Sequence, residues 1–101
     1  MSSNKITIAS TGIKEIVAHP FYSEGALQIH NATVYGVISY DRGTNVTVKV
    51  TGSATVSIAK DTALNLNIYK ENGKFYIQNS TAGAVDLYVS VYPLMQATNF
   101  I

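Results

Sequence analysis

Two histidines, His19 and His30, six carboxylates and no cysteine are the titratable groups from which this chain could assemble acid–base, thiol or metal chemistry. A histidine beside a carboxylate can be built on almost any fold, so such a pair marks a site only through its geometry. Spacings that chelate are missing, since no H-x-H or D-x-D occurs, and the lack of cysteine removes thiolate ligands and disulfides alike. Gly36, Gly43, Gly52, Gly73 and Gly83 stand singly in turns or strands, which gives neither a phosphate-cradling loop nor a nucleophile elbow. The expectation is a chain that is not an enzyme and uses no cofactor or metal.

Aromatic residues offer a different chemistry. Tyrosine presents a rigid apolar body with a hydroxyl at its tip, which suits protein interfaces and sugar stacking. Lys70-Glu71-Asn72-Gly73-Lys74 lies between two alternating runs, and Asn-Gly is the preferred two-residue hairpin turn because both positions tolerate positive φ. Counting outward from it places Glu71 opposite Lys74, Tyr69 opposite Tyr76, Ile68 opposite Ile77 and Asn67 opposite Gln78. If the isoleucine pair faces a core, the tyrosine pair lies on the other face. A hairpin through Ser80-Thr81-Ala82-Gly83 would add Tyr88 and Tyr92 to that surface. Tyr69, Tyr76, Tyr88 and Tyr92, with Asn67 and Gln78 as hydrogen-bonding partners, are therefore the candidate binding residues.

The elements that must carry this face follow from an alternation with period two, the signature of half-buried strands. It runs through Val46, Val48 and Val50, then Val56 and Ile58, then Leu64, Leu66 and Ile68, then Phe75 and Ile77, and finally Val85, Leu87, Val89 and Val91. Further strands are expected at Lys5 to Ala9, Leu27 to Asn31 and Thr33 to Tyr40. Ile13 to Ala18 has partly helical spacing but β-branched content, and is read as a strand stopped by His19-Pro20. Phe21 to Ala26 reads as a loop. Turns are expected at Ser10-Thr11-Gly12, Asp41 to Thr44, Thr51-Gly52-Ser53 and Lys60-Asp61-Thr62. The fold predicted is a single all-β domain over 1–101, an antiparallel sandwich of jelly-roll or immunoglobulin-like type with about eight strands.

A chain of 101 residues buries roughly 65% of its unfolded surface, enough for one self-sufficient core. Charged residues make up 13%, about half the usual share, while hydrophobic residues reach 47%. Such a charge-poor exterior favours partial cover by other subunits, and a homotrimer is expected. The net charge of +1 comes from basic residues scattered singly, which argues against nucleic acid and against a cationic membrane-binding helix. The N-terminal stretch lacks the basic start and apolar run of a signal peptide, and no segment approaches the ~20 apolar residues of a membrane helix. Synthesis in the cytoplasm is expected, and the triplets at Asn31, Asn45 and Asn79 that match glycosylation acceptors are read as chance. Residues 94–101 lose the alternation yet include Phe100 and Ile101, so they are expected to pack on the sandwich or on a neighbour.

The segment from Gly73 to Tyr92, GKFYIQNSTAGAVDLYVSVY, resembles the final hairpin of small β-sandwich virion proteins of tailed bacteriophages, the auxiliary capsid, head-fibre and decoration proteins. In these, a strand ending in Gln-Asn-Ser/Thr runs into a last strand of alternating valines. The resemblance implies a structural protein made in the host cytoplasm and assembled on the virion, commonly as a trimer on the major capsid protein lattice. A carbohydrate-binding host-attachment module is the alternative, weakened by the absence of tryptophan.

Overall fold

The computed structural model describes residues 3–16, 25–40, 47–72 and 74–93. They form nine strands and no helix: β1 (Ser3–Ile8), β2 (Ile13–Ile16), β3 (Gly25–His30), β4 (Tyr35–Tyr40), β5 (Thr47–Gly52), β6 (Val56–Ser57), β7 (Leu66–Glu71), β8 (Lys74–Asn79) and β9 (Val85–Pro93). A five-stranded sheet has the order β1-β9-β3-β4-β5 and a four-stranded sheet the order β2-β8-β7-β6. Pairing is antiparallel apart from the two-residue match of β6 with β7. The result is the all-β sandwich that the alternation demands. His19-Pro20, most of the Phe21 to Ala26 loop, the Asp41 to Thr44 turn, Asn45, Val46, Gly73 and residues 94–101 lie outside the described residues.

Side chains of alternating parity from both sheets meet in one core: Ile8, Leu27, Ile29, Ile38 and Leu87 from the larger sheet pack with Val56, Leu66, Ile68 and Ile77 from the smaller. Removing such aliphatic groups from water is the principal drive to fold, at about 25 cal/mol per Å² of apolar surface. The β7–β8 hairpin has the register expected from Asn-Gly, with Ile68 opposite Ile77 and Tyr69 opposite Tyr76. Asn72 has φ 52°, the left-handed geometry that selected asparagine there. Ile13–Ile16 is a strand: its pairing with Gln78 to Phe75 of β8 overrides the helical spacing.

Some expectations are corrected. Val48 and Val50 are 52% and 61% exposed, while Thr47 is buried and its hydroxyl donates to the Ile68 carbonyl oxygen across the core. The inside and outside of β5 are thus reversed, because valine and threonine have nearly the same shape and a bulge passes over Val50, pairing Val37 with Thr51 and Ile38 with Lys49. Leu64 is 71% exposed in a loop at φ 64°, and the strand starts at Leu66. Gly25 opens β3 rather than lying in a loop, and β5 continues through Gly52 before the chain turns.

Gly52 shows why the strand needs a glycine at that point. Its φ is 150°, and a Cβ there would sit 2.8 Å from both the Gly36 Cα and the Tyr35 carbonyl oxygen. Both contacts are to backbone and cannot swing away. Gly52→Ala is expected to cost about 2 kcal/mol through strain and displacement of β4, read as a lowered urea midpoint with unchanged m-value.

Tyr40 ends β4 inside the sandwich, its ring 4.4 Å from that of Phe75 at 58°. Its hydroxyl is buried without a hydrogen-bond partner among the described residues, and desolvation raises its pKa above 10.0. The unfolded chain therefore ionises Tyr40 first, so this contribution to stability is intact below pH ~10 and is lost as pH rises through the folded pKa. Tyr40→Phe should be neutral or mildly stabilising at pH 7 and should make alkaline unfolding start at higher pH. Denaturant melts at pH 7 and pH 11 check both arms.

Candidate functional site

The expected four-tyrosine face is divided between the two outsides of the sandwich. β8 and β9 are not a hairpin: residues 80–84 carry the chain from the four-stranded sheet to the five-stranded one, where β9 inserts between β1 and β3. The reason lies in Asn79, fully buried at the crossing point. Its Nδ2 donates to the carbonyl oxygens of Ile8 (2.9 Å) and Gly83 (2.8 Å), and its Oδ1 accepts from the Thr81 N–H (2.9 Å) and hydroxyl (2.5 Å). One amide thereby ties the end of β8 to the end of β1 and bends the connection. Asn31 repeats the device after β3, accepting from the N–H groups of Thr33 and Val34 and donating to the Asp86 carbonyl oxygen. Two of the glycosylation-like triplets are thus side-chain-bonded turns.

Tyr69 and Tyr76 stack on the outer side of the four-stranded sheet, centroids 5.4 Å apart. The segment after β6, residues 58–65, crosses this side as a strap. Asp61 bonds Gln78 twice: its N–H donates to Oε1 at 2.7 Å and its carboxylate accepts from Nε2 at 2.8 Å. Asn67 Nδ2 donates to the Thr62 carbonyl oxygen, to Gln78 Oε1 and to Ser80 Oγ, while its Oδ1 accepts from the Ser57 hydroxyl. Asn67 is fully buried, Gln78 nearly so, and both amides are engaged within the chain. Tyr69 is also buried, which raises its pKa, and Lys60 lies 5.6 Å from its ring. Of the expected group on this side, only Tyr76 keeps partial exposure.

The outer side of the five-stranded sheet carries a different aromatic set, exposed at its ends around a buried Ser90. Register places Lys5 beside Tyr88, Tyr88 beside His30 and His30 beside Tyr35, a single row across β1, β9, β3 and β4. Tyr88 and Tyr35 are 44% and 51% exposed, and the His30 ring stacks on Tyr88 at 5.3 Å and 20°. Asp86 borders the row, accepting the Thr7 hydroxyl at 2.6 Å with Lys5 Nζ at 3.8 Å. The next rows are Ser90, Gln28, Val37 and Thr51, then Tyr92, Ala26, Ser39 and Val48. The outcome is a surface with a stacked ring pair at the end where β3 closes and β4 opens, Lys5 and Asp86 at its β1 margin and the exposed Val48 on β5 at the opposite end. Such a surface can take an aromatic, guanidinium or sugar-ring partner face-on.

Tyr88 and Tyr92 are the sequence-expected residues that this surface retains. Lys5, His30 and Tyr35 join them because β9 lies between β1 and β3. Alternation alone marks each as outward-facing, but no local signal announces the row. Among the described residues no three of His, Cys, Asp and Glu are grouped to hold a metal, and His19 lies outside them. No protein-family model, curated protein or solved structure matches the chain.

Proposed function

We propose that the protein is a non-enzymatic virion component that decorates a capsid, docking on the major capsid protein lattice through the outer side of its five-stranded sheet. The observation that carries this reading is the exposed Tyr88–His30–Tyr35 row, which has charge only at its β1 margin, where Lys5 and Asp86 lie. Aromatic residues in a charge-poor patch are the usual anchors of protein interfaces. The low charge of the whole chain and the phage-like Gly73 to Tyr92 segment support the same reading.

Size favours several copies acting together. Five strands and three rows span about 20 Å by 13 Å, roughly a third of the ~800 Å² per partner of a standard interface. One copy binds weakly, whereas a homotrimer gains avidity on a repeating lattice. Particles released by phage-producing cells that carry this gene should contain the protein in copy numbers set by capsid symmetry, and recombinant protein should sediment with particles stripped of it. Its absence from particles together with retention on a glycan array would support the second reading, a carbohydrate-binding attachment module. The observation favouring that alternative is the exposed, nearly parallel His30–Tyr88 stack, a platform on which a sugar ring can lie.

A further inference from the structure

We propose that β1 is a self-association edge: two copies of the chain pair antiparallel through it and join their five-stranded sheets into one. Among the described residues four strands close the two sheets, β1 and β5 on the larger, β2 and β6 on the smaller. An edge strand offers unpaired N–H and C=O groups to other chains unless it is short, bulged or carries an inward-pointing charge. Three of these four have such a device. β6 is two residues long, and β5 is bulged at Val50 with Lys49 opposite Ile38 on the core side. β2 is four residues long, and its exposed Lys14 stands opposite the buried Ile77, again on the core side. β1 has none of these. Ser3 to Ile8 pair one to one with Ser90 to Val85, contain no proline and place their one charge, Lys5, on the outer side, 3.8 Å from Asp86.

A second copy is the occupant that the residues of β1 fit. In an antiparallel pair, facing residues share a side of the sheet, so the two-fold axis relating the copies passes through one residue position. At Lys5 it would set two ammonium groups face to face. At Thr7 it would leave Ser3, Asn4 and Lys5 without a facing strand residue. At Ile6 every residue from Asn4 to Ile8 faces a strand residue of the other copy, Ile6 meets Ile6, and Lys5 meets Thr7. Ile6 packs on the core yet is only half-buried, and a facing isoleucine takes more of its surface from water. On the outer side Thr7 donates to Asp86 at 2.6 Å, so the Lys5 ammonium of each copy faces the Thr7 and Asp86 of the other. Two lysines and two aspartates then line the seam with no net charge. The contact is isologous, so it joins copies two at a time and can link trimers as well as single chains. It stands apart from capsid docking, although it sets two Tyr88 rows in one continuous surface.

Sedimentation equilibrium of the full chain should show pairing at concentrations up to about 1 mM, the weak range of a contact smaller than a standard interface. Thr7→Lys sets ammonium groups opposite each other at two places in the seam. It should weaken pairing about tenfold with the fold intact, and Lys5→Glu/Thr7→Lys should restore it. Because the chain has no cysteine, Ile6→Cys reports the axis directly. Oxidation should link it into disulfide dimers, since this register alone brings Ile6 against itself, while Ile13→Cys, on the edge strand of the other sheet, should stay unlinked. A parent that does not associate at that concentration, a Thr7→Lys protein that associates as the parent does, or Ile13→Cys linking as readily as Ile6→Cys would overturn the proposal. Pairing that persists in a protein unable to bind particles would support it while removing the docking face.

Discussion

Asn79→Ala should be among the most destabilising single substitutions in this protein, lowering stability by about 3 kcal/mol or more. Truncation takes the side-chain partner from the buried Ile8 carbonyl oxygen and the part-buried Thr81 N–H, and leaves the Gly83 carbonyl oxygen with the Thr81 hydroxyl alone. Each uncompensated buried polar group costs about 1–3 kcal/mol, and the cavity left by the amide adds to that. For a domain of this length the loss corresponds to a fall in Tm on the order of 15 °C. Asn79→Asp should be as damaging at pH 7, because the introduced carboxylate faces two carbonyl oxygens that need a donor. Its pKa is then raised in the folded state, so stability is recovered below the ordinary carboxylate pKa and lost as pH rises. Thermal melts of both variants at pH 4 and pH 7 check the expectation; an Asn79→Ala protein melting within 3 °C of the parent would show that the clamp is dispensable.

Tyr88→Ala and His30→Ala should each leave the fold intact and weaken binding to stripped particles about tenfold, equivalent to about 1.4 kcal/mol per copy. Both side chains are exposed, so truncating them opens no cavity. Their rings touch each other, and the double variant should therefore lose less than the sum of the two single losses. Tyr76→Ala, on the strap side of the sandwich, should bind as the parent does. Equal loss from Tyr76→Ala and Tyr88→Ala would move the functional surface to the other sheet. Loss of glycan retention with unchanged particle binding would select the sugar-binding reading.

What the sequence discloses follows the range of the interactions. The β7–β8 register was legible to the residue because a two-residue turn leaves no freedom once Asn72 adopts positive φ. The alternation of β9 was equally legible, but its neighbours were not. Its pairs, Tyr88 with Lys5 and with His30, join residues more than fifty positions apart, and period two says which face a residue takes without saying which strand lies alongside. The strap illustrates a second limit. Asn67 and Gln78 look like surface hydrogen-bonders by type, and only the tertiary return of Asp61 and Thr62 turns them into buried structural groups. In β5, threonine and valine are close enough in shape that a bulge decided which faced the core.

Thiol protection on the particle addresses the proposed docking face most directly. Single cysteines placed at Gln28 and Thr51 on the outer side of the five-stranded sheet, and at Glu15 and Lys74 on the outer side of the four-stranded one, can be labelled with a maleimide before and after binding. The expected result is loss of labelling at Gln28→Cys and Thr51→Cys on particles and unchanged labelling at Glu15→Cys and Lys74→Cys. Protection of the second pair with continued labelling of the first would contradict docking through the Tyr88 row.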